Sequence, residues 1–285
     1  MIQQLRTRPG HFYSPYPDLD ELRHRADAVF APRATFPGID LRVDAQLQRL
    51  DEFATLAGTF PWTDNAQPGL RYQYANRPYA HGDGLFTAAM LTQLRPRRVV
   101  EIGSGYSTML ALDVRDRLIG SDPDALDITS VDPYPQRLRE LLDGERPERF
   151  RIIEQTAQQL DVAVIDSLAA GDVLFIDSTH VAKAGSDVNH IFFELVPRVA
   201  SGVFIHVHDV FANFEYPREW VFQRRAWSEA YVLRSFLQFN AAFDIEFWGA
   251  WLVEHHRHRV EGHGEVFAPA LTNPGASIWL QRTDG

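Results

Sequence analysis

Two groups of residues in this chain have the types and spacing to do chemistry. The first joins acids to imidazoles: Asp177 with His180 three residues on, and further along His206, His208 and Asp209. Carboxylate oxygens and imidazole nitrogens gathered in one place can hold a divalent cation that acidifies a bound hydroxyl, or can take that hydroxyl's proton directly. The second is the run Val99, Val100, Glu101, Ile102, Gly103, Ser104, Gly105, Tyr106, Ser107, Thr108. It reads as a buried strand entering a glycine turn that opens a helix. Such a turn lets backbone approach a ligand where a Cβ would collide, and the helix start offers unpaired N–H groups. The dinucleotide fingerprint needs a third glycine where this chain has Thr108, which disfavours pyrophosphate packing of that kind. Glu101 ends the strand and Asp132 ends the next strand-like run, so two acids at successive strand tips suit a cofactor carrying hydroxyls and a cation.

Positioning these residues takes a sheet. From about Leu85 onward apolar runs alternate with amphipathic segments, the pattern of a doubly wound α/β fold. Strands are expected at 98–102, 128–132, 150–154, 172–177, 202–208, 244–249 and 276–281, with helices at 84–94, 107–118, 135–142, 156–168, 186–198 and 224–240. The carboxyl ends of adjacent parallel strands line the ligand crevice, which brings Asp177 and His180 to a bound cofactor with His208 and Asp209 beside them. Alternation along the fifth strand puts His206 and His208 on one face and Val207 and Asp209 on the other, as long as that strand stays regular.

The last two strand-like runs, Phe243 to Trp248 and Ala276 to Leu280, have no amphipathic helix-sized segment between them and are expected to pair as an antiparallel hairpin. The run His255, His256, Arg257, His258, with His263, falls in that connection; it lacks a regular ligand spacing and reads as a solvated loop or an oligomer contact. Ahead of the sheet, Leu19 to Phe30 and Val43 to Ala57 read as helices, the second with Leu47, Leu50, Phe53, Ala54 and Ala57 on one face. The expected organisation is an N-terminal helical cap over residues 1–83 and a Rossmann-like catalytic domain over 84–285. Tyr72, Tyr74, Tyr79 and His81, with Phe211, Phe214, Tyr216 and Trp220, supply aromatics near the cleft mouth and suit an aromatic or glycosylated acceptor.

Composition excludes several classes. A formal charge of −10 argues against holding nucleic acid by phosphate neutralisation. The absence of cysteine removes disulfides and thiolate metal sites. Met1 to Gly10 is polar, and no run approaches the length of a membrane helix. The expectation is a soluble, unprocessed cytoplasmic protein acting on a small molecule.

At this point the residues resemble the bacterial class I S-adenosylmethionine-dependent methyltransferases, in a subgroup acting on small molecules. The likeness rests on Arg98 to Thr108, on Asp172 to His180 with Gly185 to Asn189 behind it, and on Ile205 to Val210, Tyr216 to Trp220 and Trp227 to Tyr231. It extends to the early Gly10 to Pro15 and Tyr79 to Asp83. What the resemblance implies is a seven-stranded, mostly parallel sheet closed by an antiparallel hairpin, with S-adenosylmethionine as cofactor. It puts Glu101, Gly103, Ser104 and Gly105 against the methionine part and Asp132 on the ribose hydroxyls, with helix capping as the alternative for Asp132. Tyr106, Ser107 and Thr108 either join the cofactor site or simply start the helix.

The implied reaction is O-methylation of a hydroxyl on a small metabolite. Either Asp177, His180, His208 and Asp209 hold a divalent cation (Mg, Mn, Fe or Zn), or His180 or His208 acts as base with a carboxylate raising its pKa. Family metal sites are commonly oxygen-only, and His208 departs from that, shifting preference from magnesium toward manganese, iron or zinc. Lys183 is a further candidate base or substrate-orienting group, against a solvated loop lysine. Capping is the first explanation for Asp187 and Asn189, and pocket wall or core for Trp227 and Tyr231. Alternatives are N-methylation with a histidine base, metal-dependent oxidation or elimination on the same fold, and a non-catalytic binder.

Overall fold

The computed structural model describes residues 6–120 and 126–284. Residues 1–5, where the polar N-terminal stretch begins, lie outside the described residues. Helix α1 (Leu19–Val29) starts where the Asp18 carboxylate accepts the N–H groups of Asp20 and Glu21. Helix α2 (Val43–Ala57) buries Leu50, Phe53 and Ala57, and with them Gln46 in place of Leu47. Gln46 is an amide tie: it donates to the Leu41 carbonyl and accepts the Trp248 N–H. Helix α3 (Gly82–Leu94) is buried over its first ten residues, Gly82 to Leu91.

The alternating part then runs β1 (Arg98–Ile102), α4 (Tyr106–Val114), β2 (Asp127–Val131), α5 (Gln136–Leu142), β3 (Phe150–Ile153), α6 (Ala163–Asp166), β4 (Val173–Ile176), α7 (Asp187–His190), β5 (Phe204–Val207), α8 (Arg218–Phe222), α9 (Glu229–Leu237), β6 (Phe243–Trp248), α10 (Gly249–His255), α11 (Arg257–Gly262), α12 (Ala268–Thr272) and β7 (Ile278–Arg282). The seven strands lie in the order β3-β2-β1-β4-β5-β7-β6. Neighbours from β3 to β5 are parallel, and β7 pairs antiparallel with both β5 and β6. β7 alone runs against the rest. Helices cover the sheet, as a parallel sheet with apolar residues on both faces requires, and one continuous core joins Phe36 and Phe53 to Phe247, Trp248 and Trp279. Among the described residues no helix is long and apolar enough to cross a membrane.

Several expected helices break, each for a local reason. The stretch 156–168 is a short 3₁₀ turn, Ala157–Gln159, followed by α6, because Leu160 turns extended after the Thr156 and Gln159 capping pair and Asp161 starts a new turn on the Ala163 N–H. The stretch 186–198 is α7, then a widened π turn Ile191–Leu195 and a 3₁₀ turn holding Pro197, whose missing N–H loosens the preceding turn. α9 begins only at Glu229; Arg224 has φ +63°, which no helix tolerates, and 224–228 is a loop.

The connection between β6 and β7 is the largest correction. The two strands do pair antiparallel, yet they are joined by α10, a 3₁₀ turn Gly264–Phe267, α11 and α12 rather than by a loop. Gly249, Ala250, Trp251, Leu252 and Val253 are all buried, so α10 is apolar all round and shows no helical periodicity to read. His255 to His258 accordingly end α10 and start α11. His263 Nε2 donates to the Asp51 carboxylate, 2.9 Å away, beside the Arg259 ion pair to the same group.

Candidate active site

The tips of β1, β2, β4 and β5 open on one cleft of about 1010 Å³. Its floor is the turn after β1. The Gly103 N–H donates to the Val131 carbonyl and the Asp177 N–H donates to the Ile102 carbonyl, both at 2.9 Å, so the turn is pinned between β2 and β4. Gly103 has φ +89°, and a Cβ there would stand 1.7 Å from the Asp177 carbonyl oxygen. Only glycine fits. Ser104 Oγ donates to one Asp132 oxygen at 2.6 Å while the other accepts the Tyr134 N–H at 2.7 Å. Asp132 therefore holds its own turn and lines the cleft; the residue ahead of α5 is Pro135, not Asp132.

Of the residues expected at the cofactor, Gly103, Ser104, Asp132 and Asp177 line this cleft. Glu101, Gly105, Tyr106 and Ser107 do not, which differs from the reading of the sequence. The Glu101 carboxylate is buried beneath the turn and accepts the hydroxyls of Ser107, Thr108 and Ser130 at 2.6, 2.5 and 2.6 Å. Burial pushes Glu101 up to about 7 against the pull of those three hydroxyls. A strand-end acid followed by two hydroxyl residues in the first helical turn reads as a cofactor contact in one dimension and folds as a brace for α4 in three.

Across the cleft, the acid and histidine cluster assembles on two strained residues. His180 has φ +60° and Asp209 φ +57°, left-handed conformations that are uncommon for non-glycine residues and gather at functional sites. The strand ends at Val207 and this turn of the backbone brings Asp209 round to the same side as His208, which regular alternation forbids. His180 Nε2 stands 3.4 Å from Asp177 and 3.3 Å from Asp209, while its Nδ1 stands 2.8 Å from Glu229. His208 Nδ1 lies 3.3 Å from Asp177 and 3.6 Å from Asp209, and its Nε2 lies 3.4 Å from Asp83. Four carboxyl groups face two imidazoles.

The electrostatics follow from that count. Burial works against the charged form of each imidazole, but Asp177 and Glu229 win at His180, held up at about 10, and the Asp177 and Asp209 carboxylates win at His208, held well above the usual range. Burial likewise opposes ionisation of Asp177, which His208 and His180 hold well below the usual carboxylate range; Asp209 and Glu229 are pushed up by burial. His206 is outside the cluster. It is fully buried, stacked on Phe175 at 3.7 Å with Tyr79 Oη at 3.2 Å, and burial followed by the His208 charge keeps it neutral.

Two participants escaped the sequence reading. Glu229 shares the buried stripe of α9 with Leu233 and Leu237, so an acid at the head of an apolar stripe was the available signal. Asp83 is the acid inside the otherwise apolar α3, and its carboxylate accepts the Ala276 N–H at 2.8 Å and the Ser277 hydroxyl. The His180 carbonyl accepts the N–H groups of Ser228 and Glu229, which locks the loop after β4 to the start of α9. Lys183 lines the cleft. The cap of α7 is Ser186, whose Oγ accepts the Asn189 N–H, while the Asp187 carboxylate reaches back to the N–H and hydroxyl of Thr179.

Asp177, His180 and Asp209 can offer one ligand atom each within 4.8 Å of one another. With Nδ1 engaged by Glu229, the Nε2 lone pair of a neutral His180 is aimed between the two carboxylates, the carboxylate–histidine arrangement that orients metal ligands. His208 Nδ1 is buried without a hydrogen-bond partner among the described residues. The donor set and its surplus of negative charge fit a divalent cation. Glu229→Gln should therefore lower turnover about 10–100-fold through loss of His180 orientation, with cofactor affinity unchanged; parallel calorimetry and turnover measurements check it, and wild-type turnover would remove Glu229 from the site.

The family model described as a methyltransferase domain matches residues 100–210, from β1 through the tip of β5. An uncharacterised protein of Archaeoglobus fulgidus is 32% identical over 166 residues, 56% of this chain and 72% of that one. Among solved structures, the SAH-bound methyltransferase of Podospora anserina is 17% identical with a TM-score of 0.42, over 81% of this chain and 92% of that one. The O-methyltransferase TomG of Streptomyces achromogenes, in complex with SAM, is 12% identical with a TM-score of 0.45, over 90% and 94%.

Proposed function

We propose that this chain, whose residues 100–210 match a methyltransferase domain, is a class I S-adenosylmethionine-dependent methyltransferase that methylates a hydroxyl oxygen of a small acceptor held over Asp177, His180 and Asp209. The observation that carries the reading is the meeting, in one cleft, of the Gly103–Asp132 floor with the two strained strand tips. S-adenosylmethionine supplies an electrophilic methyl group on a sulfonium. Gly103 and Ser104 present backbone to its methionine part, and Asp132, with lone pairs to spare beyond Ser104 and Tyr134, accepts the ribose hydroxyls. Glu101 is a positioning residue that fixes the start of α4 from below. Asp177 borders both halves and faces the sulfonium's charge.

Asp177, His180 and Asp209 would hold a divalent cation, which supplies Lewis acidity that lowers the acceptor hydroxyl's pKa; the mixed nitrogen and oxygen set suits manganese, iron or zinc. His208, between Asp83 and the two catalytic carboxylates, keeps Asp177 and Asp209 apart and in place. The acceptor oxygen forms the new bond to carbon, sulfur keeps the electron pair of the old one, and the hydroxyl proton leaves to water at the cleft mouth. Alignment of oxygen, carbon and sulfur is the larger part of the acceleration, as oriented intramolecular reactions reach roughly 7–11 kcal/mol. We take the segment 1–83 to be the acceptor-side cap, since the α1 end and the loop after it reach the loop following β5 through Phe30 on Phe222 and the Asn213 amide on the Ala31 carbonyl.

Calorimetric titration with S-adenosylmethionine and with S-adenosylhomocysteine, before and after EDTA, tests this. Both should bind with the same affinity in either condition, and Mn²⁺ should titrate to one site per chain. No binding of either cofactor form would overturn the reading.

A further inference from the structure

Four cations stand among the aspartates that line the cleft. The formal charge is −10, yet Arg77, Arg137, Lys183 and Arg225 all line the cleft, and none of the four has a carboxylate partner among the described residues. Lys183 is the only lysine among 28 Lys and Arg residues in the chain. Its backbone is fixed: the Lys183 N–H donates to Ser186 Oγ at 3.1 Å, its carbonyl accepts the Asn189 amide at 3.0 Å, and the Ala182 N–H donates to Ser228 Oγ at 2.9 Å. A rigid loop thus delivers one free ammonium to the cleft, three residues beyond His180.

Arg225 is likewise without a carboxylate partner among the described residues, and its backbone N–H donates to the Trp220 carbonyl at 3.0 Å. Its guanidinium carbon lies 4.3 Å from the Trp220 ring centre and 5.6 Å from that of Trp227. A guanidinium over an indole face can still turn N–H groups toward a planar oxyanion. Trp227 in turn lies 4.6 Å from the His180 ring, which places the guanidinium carbon within about 10 Å of the imidazole. Arg137 approaches the turn at Gly105, its Cδ 3.9 Å from where a Cβ would stand, and so belongs to the cofactor end. Arg77, Lys183 and Arg225 remain, and of these Lys183 follows His180 by three residues and Arg225 lies on the wall of Phe211, Trp220 and Trp227.

We propose that the acceptor is a small hydroxylated aromatic compound bearing an oxyanion, carboxylate or phosphate, which Lys183 and Arg225 grip while the ring lies on Phe211, Trp220 and Trp227 and the hydroxyl reaches His180. One ring spans that distance. The assignment rests on the methyltransferase reading above and names its substrate class.

The single lysine makes the test direct. Reductive methylation with ¹³C-formaldehyde labels Lys183 and the α-amine only and keeps their charge. In the labelled protein saturated with S-adenosylhomocysteine, 4-hydroxybenzoate and 4-hydroxyphenyl phosphate are titrated against neutral 4-hydroxybenzamide. At least one anion should move the Lys183 methyl resonance at a concentration about tenfold or more below any effect of the amide, and the tighter of the two names the group. Lys183→Met and Arg225→Met should each weaken that anion about tenfold or more with S-adenosylhomocysteine affinity unchanged. Equal response to the amide, or none to either anion while S-adenosylhomocysteine binds normally, overturns the acceptor assignment. Failure of S-adenosylhomocysteine to bind overturns the methyltransferase reading instead.

Discussion

Gly103→Ala should cost the protein about 3 kcal/mol or more of stability, a fall in Tm of roughly 6–12 °C, together with most of its cofactor affinity. Two costs add. Alanine at φ +89° is in the left-handed region, worth about 1–2 kcal/mol for an L-residue. Its Cβ would also stand 1.7 Å from the Asp177 carbonyl oxygen, a backbone atom that no rotamer change can move aside. The tips of β1 and β4 would have to part by about an ångström, and displacements of that size cost about 10²-fold in catalysis. Gly185→Ala is the control, because Gly185 has φ +72° with nothing within 4 Å of its Cβ position and bears the conformational cost alone. Thermal unfolding and calorimetry on both variants separate the terms; equal losses in the two would show that the close approach of Gly103 to Asp177 is immaterial.

Asp209→Asn should lower turnover of the hydroxylated acceptor by about 10²–10⁴-fold and abolish Mn²⁺ binding, while S-adenosylmethionine affinity stays within about twofold. Asparagine is chosen because it tolerates the left-handed backbone at φ +57°, so the fold survives and the lost charge is what is measured. Asp209 Oδ2 stands 3.3 Å from His180 Nε2 and 3.6 Å from His208 Nδ1. Asp209→Ala should show the same kinetic loss with a lower Tm. A tenfold loss of cofactor affinity in the asparagine variant would place Asp209 against the cofactor and refute the division of the cleft.

The strands were legible because parallel strands buried on both faces are plain apolar runs: β1 spans the expected 98–102, and β2 to β5 lie within a residue or two of expectation at each end. The glycine turn was legible for the same local reason, and it lines the cleft through Gly103 and Ser104. What could not be read depends on contacts far apart in sequence. Glu229 meets His180 across 49 residues. Asp83 meets Ala276 across 193, and the seat of Asp209 depends on one backbone angle after the last ladder residue of β5. Glu101 misled because a strand-tip acid beside a glycine turn has the same spacing whether it faces the ligand or braces the helix under it. α10 was hidden because its first five residues, Gly249 to Val253, are all buried, which erases the period that marks a surface helix.

The place of β7 in the sheet has a consequence for how the enzyme is made. β7 lies between β5 and β6 but leaves the ribosome after both, and the residues just ahead of it, Ala276 and Ser277, are the ones that hold Asp83 behind His208. A nascent chain that has already released the glycine turn and both strained strand tips still has a gap in its sheet and an unanchored Asp83. The sheet is therefore completed only by β7, and a chain halted before residue 276 carries Asp83, Asp177, His180, His208 and Asp209 without the strand between β5 and β6 and without the Ala276 and Ser277 contacts that seat Asp83.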